Sequence, residues 1–149
     1  MIRDLFFKAY KPLLVIGLLF SFLLYFSWSL PSDFILPKET IGGINGRIDS
    51  CRVENGFLVV DGWAFIDHDM YTKTNVGVMI GGSYKTLKTK TVKRRDVVKA
   101  FKLPLTLTPA LKGFTGSMYI GKEKAPFNIA IIVARKNGEN YRGDYVCKG

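Results

Sequence analysis

The first residues of this chain that could do chemistry surround its single histidine. His68 lies between Asp67 and Asp69, and imidazole and carboxylate groups both bind divalent ions. Three consecutive residues rarely point at one ion and no second histidine supports them, so we expect no metal site. A serine or cysteine nucleophile would need a base and an orienting group, and no such set is visible. We therefore expect a protein that is not an enzyme and holds no cofactor.

The two cysteines predict a covalent bond within the chain. Cys51 and Cys147 are its only cysteines, and we expect them in the first and last strands of one domain. A pair of cysteines outside the cytoplasm is typical of a disulfide, and two separate thiols are the alternative. The bridge would close a loop of nearly the whole domain.

A run of basic residues is the strongest candidate for a binding surface. Six of them fall within the stretch KTLKTKTVKRR, in which Lys85, Lys88, Lys90 and Lys93 form a basic patch followed by Arg94 and Arg95. Such a run is typical of a solvated edge strand whose lysines block edge-to-edge pairing. It also suits contact with anionic lipid head groups, an anionic polysaccharide or an acidic protein.

An uncharged stretch predicts the compartment. Residues 13–30, LLVIGLLFSFLLYFSWSL, hold no charged side chain, and a helix of that length spans about 27 Å, close to the hydrocarbon thickness of a bilayer. We interpret the stretch as a transmembrane helix. It is longer than the apolar region of a cleaved signal peptide, and no small-residue cleavage motif follows it.

The flanks of this helix predict its orientation. Arg3, Lys8 and Lys11 precede it, with only Asp4 opposing them, so residues 1–12 are expected in the cytoplasm and the rest outside. The exported part then carries +8 of the net charge of +10, and nucleic acid is not an expected partner. We expect a single-pass protein of a bacterial inner membrane with a periplasmic domain.

The helix can also contact other helices. Gly17 and Ser21 form a small-xxx-small pair, which allows a second helix to approach closely or is incidental in a lipid-facing helix. The first possibility implies a multi-pass membrane protein as a partner.

The rest of the chain predicts one β domain behind a short linker. Residues 31–44 contain two prolines and a Gly-Gly pair and are interpreted as the linker. Residues 45–149 alternate apolar-rich runs with turns, and three candidate hairpins turn at Asn55-Gly56, Gly81-Gly82 and Asn137-Gly138. About seven short antiparallel strands with regular turns predict an immunoglobulin-like β-sandwich.

Four short motifs occur in a fixed order within this domain. They are Gly46-Arg47-Ile48-Asp49, Gly62-Trp63-Ala64, Arg94-Arg95-Asp96-Val97 and Gly113-Phe114. Their order resembles the small β-sandwich accessory domain found beside bacterial glycosyltransferases and other surface-polysaccharide proteins, whose pattern is G-x-I-D, V-x-G-W-A, R-P-D-V, G-F. The resemblance covers residues 45–142. Arg95 stands where that family usually has proline, and the 149 residues include no glycosyltransferase domain.

The resemblance implies a non-catalytic accessory module in bacterial envelope polysaccharide synthesis or modification. Such a module recognises glycan or assists a membrane glycosyltransferase, and the candidate ligand-binding residues are Trp63, Arg94, Arg95, Asp96 and Phe114. Trp63 or Phe114 would then stack on a sugar. The same residues can instead fix the fold, with Trp63 in the core and Asp96 capping a short helix or pairing with an arginine. The alternative function is a small single-pass structural subunit of a multi-pass membrane complex.

Overall fold

The computed structural model describes residues 2–66, 73–102 and 112–148. It divides into two compact units, Met1–Leu30 and Pro31–Gly149. The loop with His68 and its two neighbouring aspartates lies outside the described residues, so the interpretation of that loop stays a prediction.

The first unit is one helix, α1 (Ile2–Ser29). It begins before the predicted stretch, because residues 2–11 contain no glycine or proline, and it continues through Pro12. Its segment Tyr10–Ser27 has a mean hydropathy of 1.7 over 18 residues, which makes it long and apolar enough to cross a membrane. The described side chains of this segment are exposed all around the helix.

The second unit is a sheet of seven antiparallel strands with one short helix. In chain order the elements are β1 (Asn45–Glu54), β2 (Phe57–Phe65), β3 (Lys73–Ile80), β4 (Ser83–Lys93), α2 (Arg95–Ala100), β5 (Lys112–Tyr119), β6 (Phe127–Ala134) and β7 (Asn140–Cys147). Hairpins at all three predicted turns are confirmed, and Asn55 and Gly56 both have positive φ, as a tight hairpin turn requires.

The strands follow the order β1-β2-β5-β4-β3-β6-β7. Residues 83–87 of β4 pair with β3, and residues 88–93 pair with β5. The sheet therefore has two halves, which we call the β1 half (β1, β2, β5 and the end of β4) and the β7 half (the start of β4, β3, β6 and β7). Because β4 belongs to both, the sheet curves into a nearly closed barrel.

A disulfide joins the two edge strands of this sheet. Cys51 of β1 and Cys147 of β7 are bonded, with their Cα atoms 5.9 Å apart, which confirms the pairing predicted from the sequence. The bond connects the first and last strands of the sheet order, so it closes the barrel where hydrogen bonding between strands does not.

The interior of the barrel is apolar and is built by alternation along each strand. Leu58 and Val60 of β2 are fully buried, as are Val78 of β3 and Ile129 and Ile131 of β6. Both faces of β2 carry buried apolar side chains. Its other face carries Trp63 and Phe65, which form a second buried cluster with Val97 and Val98 of α2. Trp63 is thus buried, in agreement with the interpretation that it fixes the fold, and it packs under α2 because Leu58 and Val60 occupy the inward positions.

Residues 31–44, predicted to be a linker, lie on the β7 half of the sheet. The Phe34 N–H donates to the Tyr84 carbonyl of β4 at 2.9 Å, and the Ile41 N–H donates to the Asn140 carbonyl of β7 at 2.8 Å. Between these contacts the Phe34 ring covers Gly77 of β3, at a position that alternates with the core residues Val76 and Val78. The segment therefore crosses the outer face of the β7 half and pairs with strands at both of its sides.

Candidate binding surface

The outer face of the β1 half gathers polar, charged and aromatic side chains from four strands. The register places Val59 opposite Ser117 and Asp61 opposite Thr115, and it places Lys88 and Lys90 beside the same two β5 residues. These positions alternate with the core residues of β2 and β5, so all of them point away from the barrel interior. We call this surface the β1-half face; its members are Ser50, Arg52, Glu54, Phe57, Val59, Asp61, Lys88, Lys90, Thr115, Ser117 and Tyr119.

A shallow open groove of about 460 Å³ runs over the middle of this face. The residues that line it are Val59, Lys88, Thr89, Lys90, Thr115, Gly116 and Ser117. Lysine and hydroxyl groups therefore stand beside one apolar side chain, a combination that can bind an anionic, hydroxyl-rich molecule.

The structure divides the basic run instead of presenting it as one surface. Lys88 and Lys90 share the β1-half face, whereas Lys93 opposes Lys112 and points to the other side of the sheet. Lys85 pairs with Asp33 of the crossing segment. Arg94 forms ion pairs with Asp49 and Asp96, and Arg95 is exposed at the start of α2. Only the two groove lysines of this run are thus presented together.

Arg94 connects α2 to the sheet through two carboxylates. Its guanidinium donates to Asp96 with Nε to Oδ1 at 2.9 Å and Nη2 to Oδ2 at 2.6 Å, and its Nη1 donates to Asp49 of β1. These hydrogen bonds raise the pKa of Arg94 above its ordinary value. Of the two roles expected for Asp96, pairing with an arginine is the one that the structure has, since α2 has no side-chain cap.

The motifs that carry the resemblance meet at this junction. Asp49 comes from the first motif and Arg94 with Asp96 from the third. The Cγ atom of Arg94 lies over Gly113 of the fourth motif, where an added Cβ would come within 2.5 Å of it. Trp63 of the second motif opposes Gly113 across the strands and packs under α2. Residues far apart in sequence thus cooperate to hold one helix on the β1-half face.

The two rings expected to stack on sugar are buried. Trp63 is only 9% exposed, with Phe65 stacked on it at 5.7 Å between ring centroids and Phe101 in edge contact at 5.4 Å. Phe114 is in the main core on the opposite side of the sheet, so the structure does not bring it to the β1-half face. Both rings act in packing, in agreement with the interpretation that these motifs fix the fold.

The ion pair between Arg94 and Asp96 makes part of the folding stability depend on pH. Hydrogen bonds from Arg94 lower the pKa of Asp96 from its ordinary 3.8 to about 2. A depressed carboxyl pKa stabilises the folded state above the ordinary value, and that contribution disappears as the pH falls through the folded one. We expect Asp96→Asn to lower stability at pH 7, and the difference from wild type to shrink between about pH 4 and pH 2. Urea unfolding across this range measures it.

A matched control for this experiment is Glu123→Gln, at an exposed carboxylate in the turn after β5 for which the described part of the chain shows no ion pair. The control should leave the pH profile of stability unchanged. A constant difference between Asp96→Asn and wild type from pH 7 to pH 2 would show that the charge of Asp96 does not contribute in this way.

A second polar network fixes the middle of the β1-half face. Asp61 accepts hydrogen bonds from Thr115 of β5 and from Arg52 of β1, whose Nη1 lies 3.0 Å from Oδ2. Burial alone would raise the pKa of Asp61, but these hydrogen bonds outweigh it and the pKa is lowered. The carboxylate thus stays charged and pairs with Arg52, which also pairs with Glu54 at 2.7 Å, so two carboxylates meet this one guanidinium.

An aromatic pair at the hairpin end of the same face was not predicted from the sequence. Phe57 opposes Tyr119 in the register, with ring centroids 5.2 Å apart and planes at 64°. The rings are 46% and 59% exposed. The alternation along β2 placed Phe57 on this face, but Tyr119 is distant in sequence and only the pairing of β2 with β5 reveals its position.

No protein-family model matches this chain, and no curated protein sequence matches it either. Among residues 2–66, 73–102 and 112–148, no group of three or more His, Cys, Asp or Glu side chains is placed to hold a metal ion.

Proposed function

We propose that this protein is a membrane-anchored, non-catalytic binding module that acts on acidic envelope polysaccharide, to recognise it or to assist the membrane enzyme that makes it. The observation that carries the proposal is the groove on the β1-half face, where Lys88 and Lys90 stand beside Thr115, Ser117 and Val59. Ammonium groups attract carboxylate or phosphate, hydroxyls pair with sugar hydroxyls, and the small apolar side chain contacts a sugar ring.

The location belongs to the same proposal. A helix apolar enough to cross a membrane and a disulfide agree with an exported domain, since disulfides persist in oxidising compartments. We propose a bacterial inner membrane with the N-terminus in the cytoplasm and the β domain in the periplasm, where envelope polysaccharide is within reach.

We also propose that the domain is immunoglobulin-like. Its order places β1, β2, β5 and β4 in one half and β3, β6 and β7 in the other, which corresponds to the ABED and CFG sheets of that fold. Two features differ from the usual arrangement. Here β4 continues from one half into the other, and the disulfide joins the two edge strands.

The test of the binding function reverses the charge of the groove. We expect full-length protein in detergent to bind at least one of the uronic acid polymers polygalacturonate, alginate and hyaluronan, in a salt-sensitive manner, and to ignore neutral dextran. Lys88→Glu/Lys90→Glu should weaken this binding by about tenfold or more, because two attractive contacts become repulsive. Affinity gel electrophoresis in each polymer measures the change.

The matched control is Lys38→Glu/Lys73→Glu. It changes the net charge by the same amount at two exposed lysines of the crossing segment and of β3, both on the β7 half of the sheet. Equal loss of binding in both double variants would assign the effect to net charge and contradict a site in the groove.

A second candidate function is a structural subunit of a multi-pass membrane complex, which α1 favours. Its described side chains are exposed on all sides, and an added Cβ at Gly17 would meet nothing within 4 Å in the described part of the chain, so the helix offers a flat surface for close helix packing. A multi-pass protein that co-purifies stoichiometrically after gentle extraction, without any polysaccharide binding, would favour this function over the first.

A further inference from the structure

The exposed aromatic pair continues the groove toward the β1–β2 hairpin. On β5, Tyr119, Ser117 and Thr115 are successive members of the β1-half face, and on β2 they oppose Phe57, Val59 and Asp61. Members of one face repeat every second residue, about 7 Å along a strand. The rings therefore stand one step beyond the row that contains Lys88, Ser117 and Val59.

The Tyr119 ring is held in place by backbone. It lies against Gly56, where an added Cβ would come within 3.1 Å of its Cε2 atom. The Gly56 carbonyl also accepts the N–H groups of Ile120, at 2.9 Å, and Gly121, at 3.2 Å, which ties the β1–β2 turn to the end of β5. Phe57 contacts the ring from the side. The ring is thus fixed on one side while 59% of Tyr119 stays exposed.

We infer that Phe57 and Tyr119 form a stacking subsite for one sugar ring of an acidic polysaccharide whose neighbouring uronate group contacts Lys88 and Lys90. This inference rests on the proposed function and names the ring-binding residues and the ligand class of that site. A fixed ring with an open face is suited to the apolar face of a pyranose, because little conformational entropy is lost on stacking. The hydroxyls of Ser117 and Thr115 in the next rows favour a sugar over the acyl chains of a lipid surface.

The experiment uses full-length protein in detergent and the three uronic acid polymers named above. Tyr119→Leu keeps an apolar side chain of similar length but removes the flat ring, and Phe57→Ala removes the second ring. Each should weaken binding to the recognised polymer by about threefold to tenfold. Tyr119→Phe, which keeps the ring, should bind as wild type does. Val146→Ala, at an exposed apolar residue of β7, is the control for loss of surface apolar area.

The outcomes separate this inference from the proposed function. Loss of binding in Lys88→Glu/Lys90→Glu with unchanged binding in Tyr119→Leu and Phe57→Ala would overturn the stacking subsite while the groove function stands. No binding to any of the three polymers by the wild type would overturn both. Thermal unfolding of each variant identifies any loss of binding that results from misfolding. If Phe57→Ala proves unstable, the result for Tyr119→Leu alone decides between the outcomes.

A lipid surface is the competing partner. Protein in phosphatidylcholine nanodiscs is mixed with vesicles of phosphatidylcholine and phosphatidylglycerol, and flotation measures association. If Tyr119→Leu reduces vesicle association and leaves polysaccharide binding unchanged, the aromatic pair contacts membrane and the inference is wrong. Reduced polysaccharide binding with unchanged vesicle association supports it.

Discussion

Replacement of both Cys51 and Cys147 by serine is expected to lower the free energy of unfolding by about 4–5 kcal/mol. The bridged residues are 96 positions apart, and in the chain-entropy model a crosslink over a loop of about 100 residues removes that much freedom from the unfolded chain. The bond also joins the two edge strands of the barrel, so its loss opens the sheet between β1 and β7. Urea unfolding of full-length protein in detergent, followed by circular dichroism, measures the loss.

The reduced wild type provides the matched control, because these are the only cysteines in the chain. Wild type with a reducing agent should unfold like the double serine variant, and the reducing agent should not change the variant itself. A double serine variant as stable as the oxidised wild type would mean that packing alone closes the barrel. A native disulfide in a small exported domain typically contributes several kcal/mol, which makes that outcome distinguishable.

Trp63→Ala is expected to lower the free energy of unfolding by about 3–5 kcal/mol, the usual cost of removing a buried tryptophan. The ring is 9% exposed and packs against Phe65 and Phe101, in the cluster that holds α2 on the sheet. Trp63→Phe should lose much less, because a ring remains under the helix. Urea unfolding of each variant gives the two values.

Trp63→Ala also distinguishes a packing role of this ring from a role in sugar stacking. Phe101→Ala, at a half-exposed ring of the same cluster, should cost only about 1 kcal/mol. Should Trp63→Ala keep wild-type stability and lose only polysaccharide binding, the ring would be a ligand contact and the packing role would be wrong.

The local features of this fold could be predicted because short-range chemistry determines them. An Asn-Gly or Gly-Gly pair between apolar runs favours a turn, and each of the three hairpins has such a pair in its connection. The alternation along β2 separates Leu58 from Trp63 without knowledge of any neighbour. The disulfide follows from cysteine number, since two cysteines have one possible pairing within the chain.

The features that depend on strand order could not be predicted in the same way. Which face of β2 becomes the interior depends on how the sheet curves, so the sequence alone does not tell which buried cluster contains Trp63 and which contains Leu58. Tyr119 meets Phe57 only because β5 pairs with β2. The basic run is continuous in sequence, yet β4 changes its partner strand after Leu87. Lys85 pairs with Asp33, Lys90 lies on the β1-half face, and Lys93 lies on the other side of the sheet.

The segment that crosses the outer face of the β7 half has a consequence for where the folded domain begins. At β4 the Phe34 N–H donates to a carbonyl and the Ser32 carbonyl accepts the Thr86 N–H. At β7 the Ile41 N–H and carbonyl pair with Asn140 and Arg142. Unpaired strand edges are templates for association with other chains. A protein fragment that starts at residue 45 would expose these groups along with the surface around Gly77, whereas one that starts at residue 31 would keep them covered. The folded domain therefore includes the residues that follow the apolar helix, and we expect a fragment that starts at residue 31 to aggregate less than one that starts at residue 45.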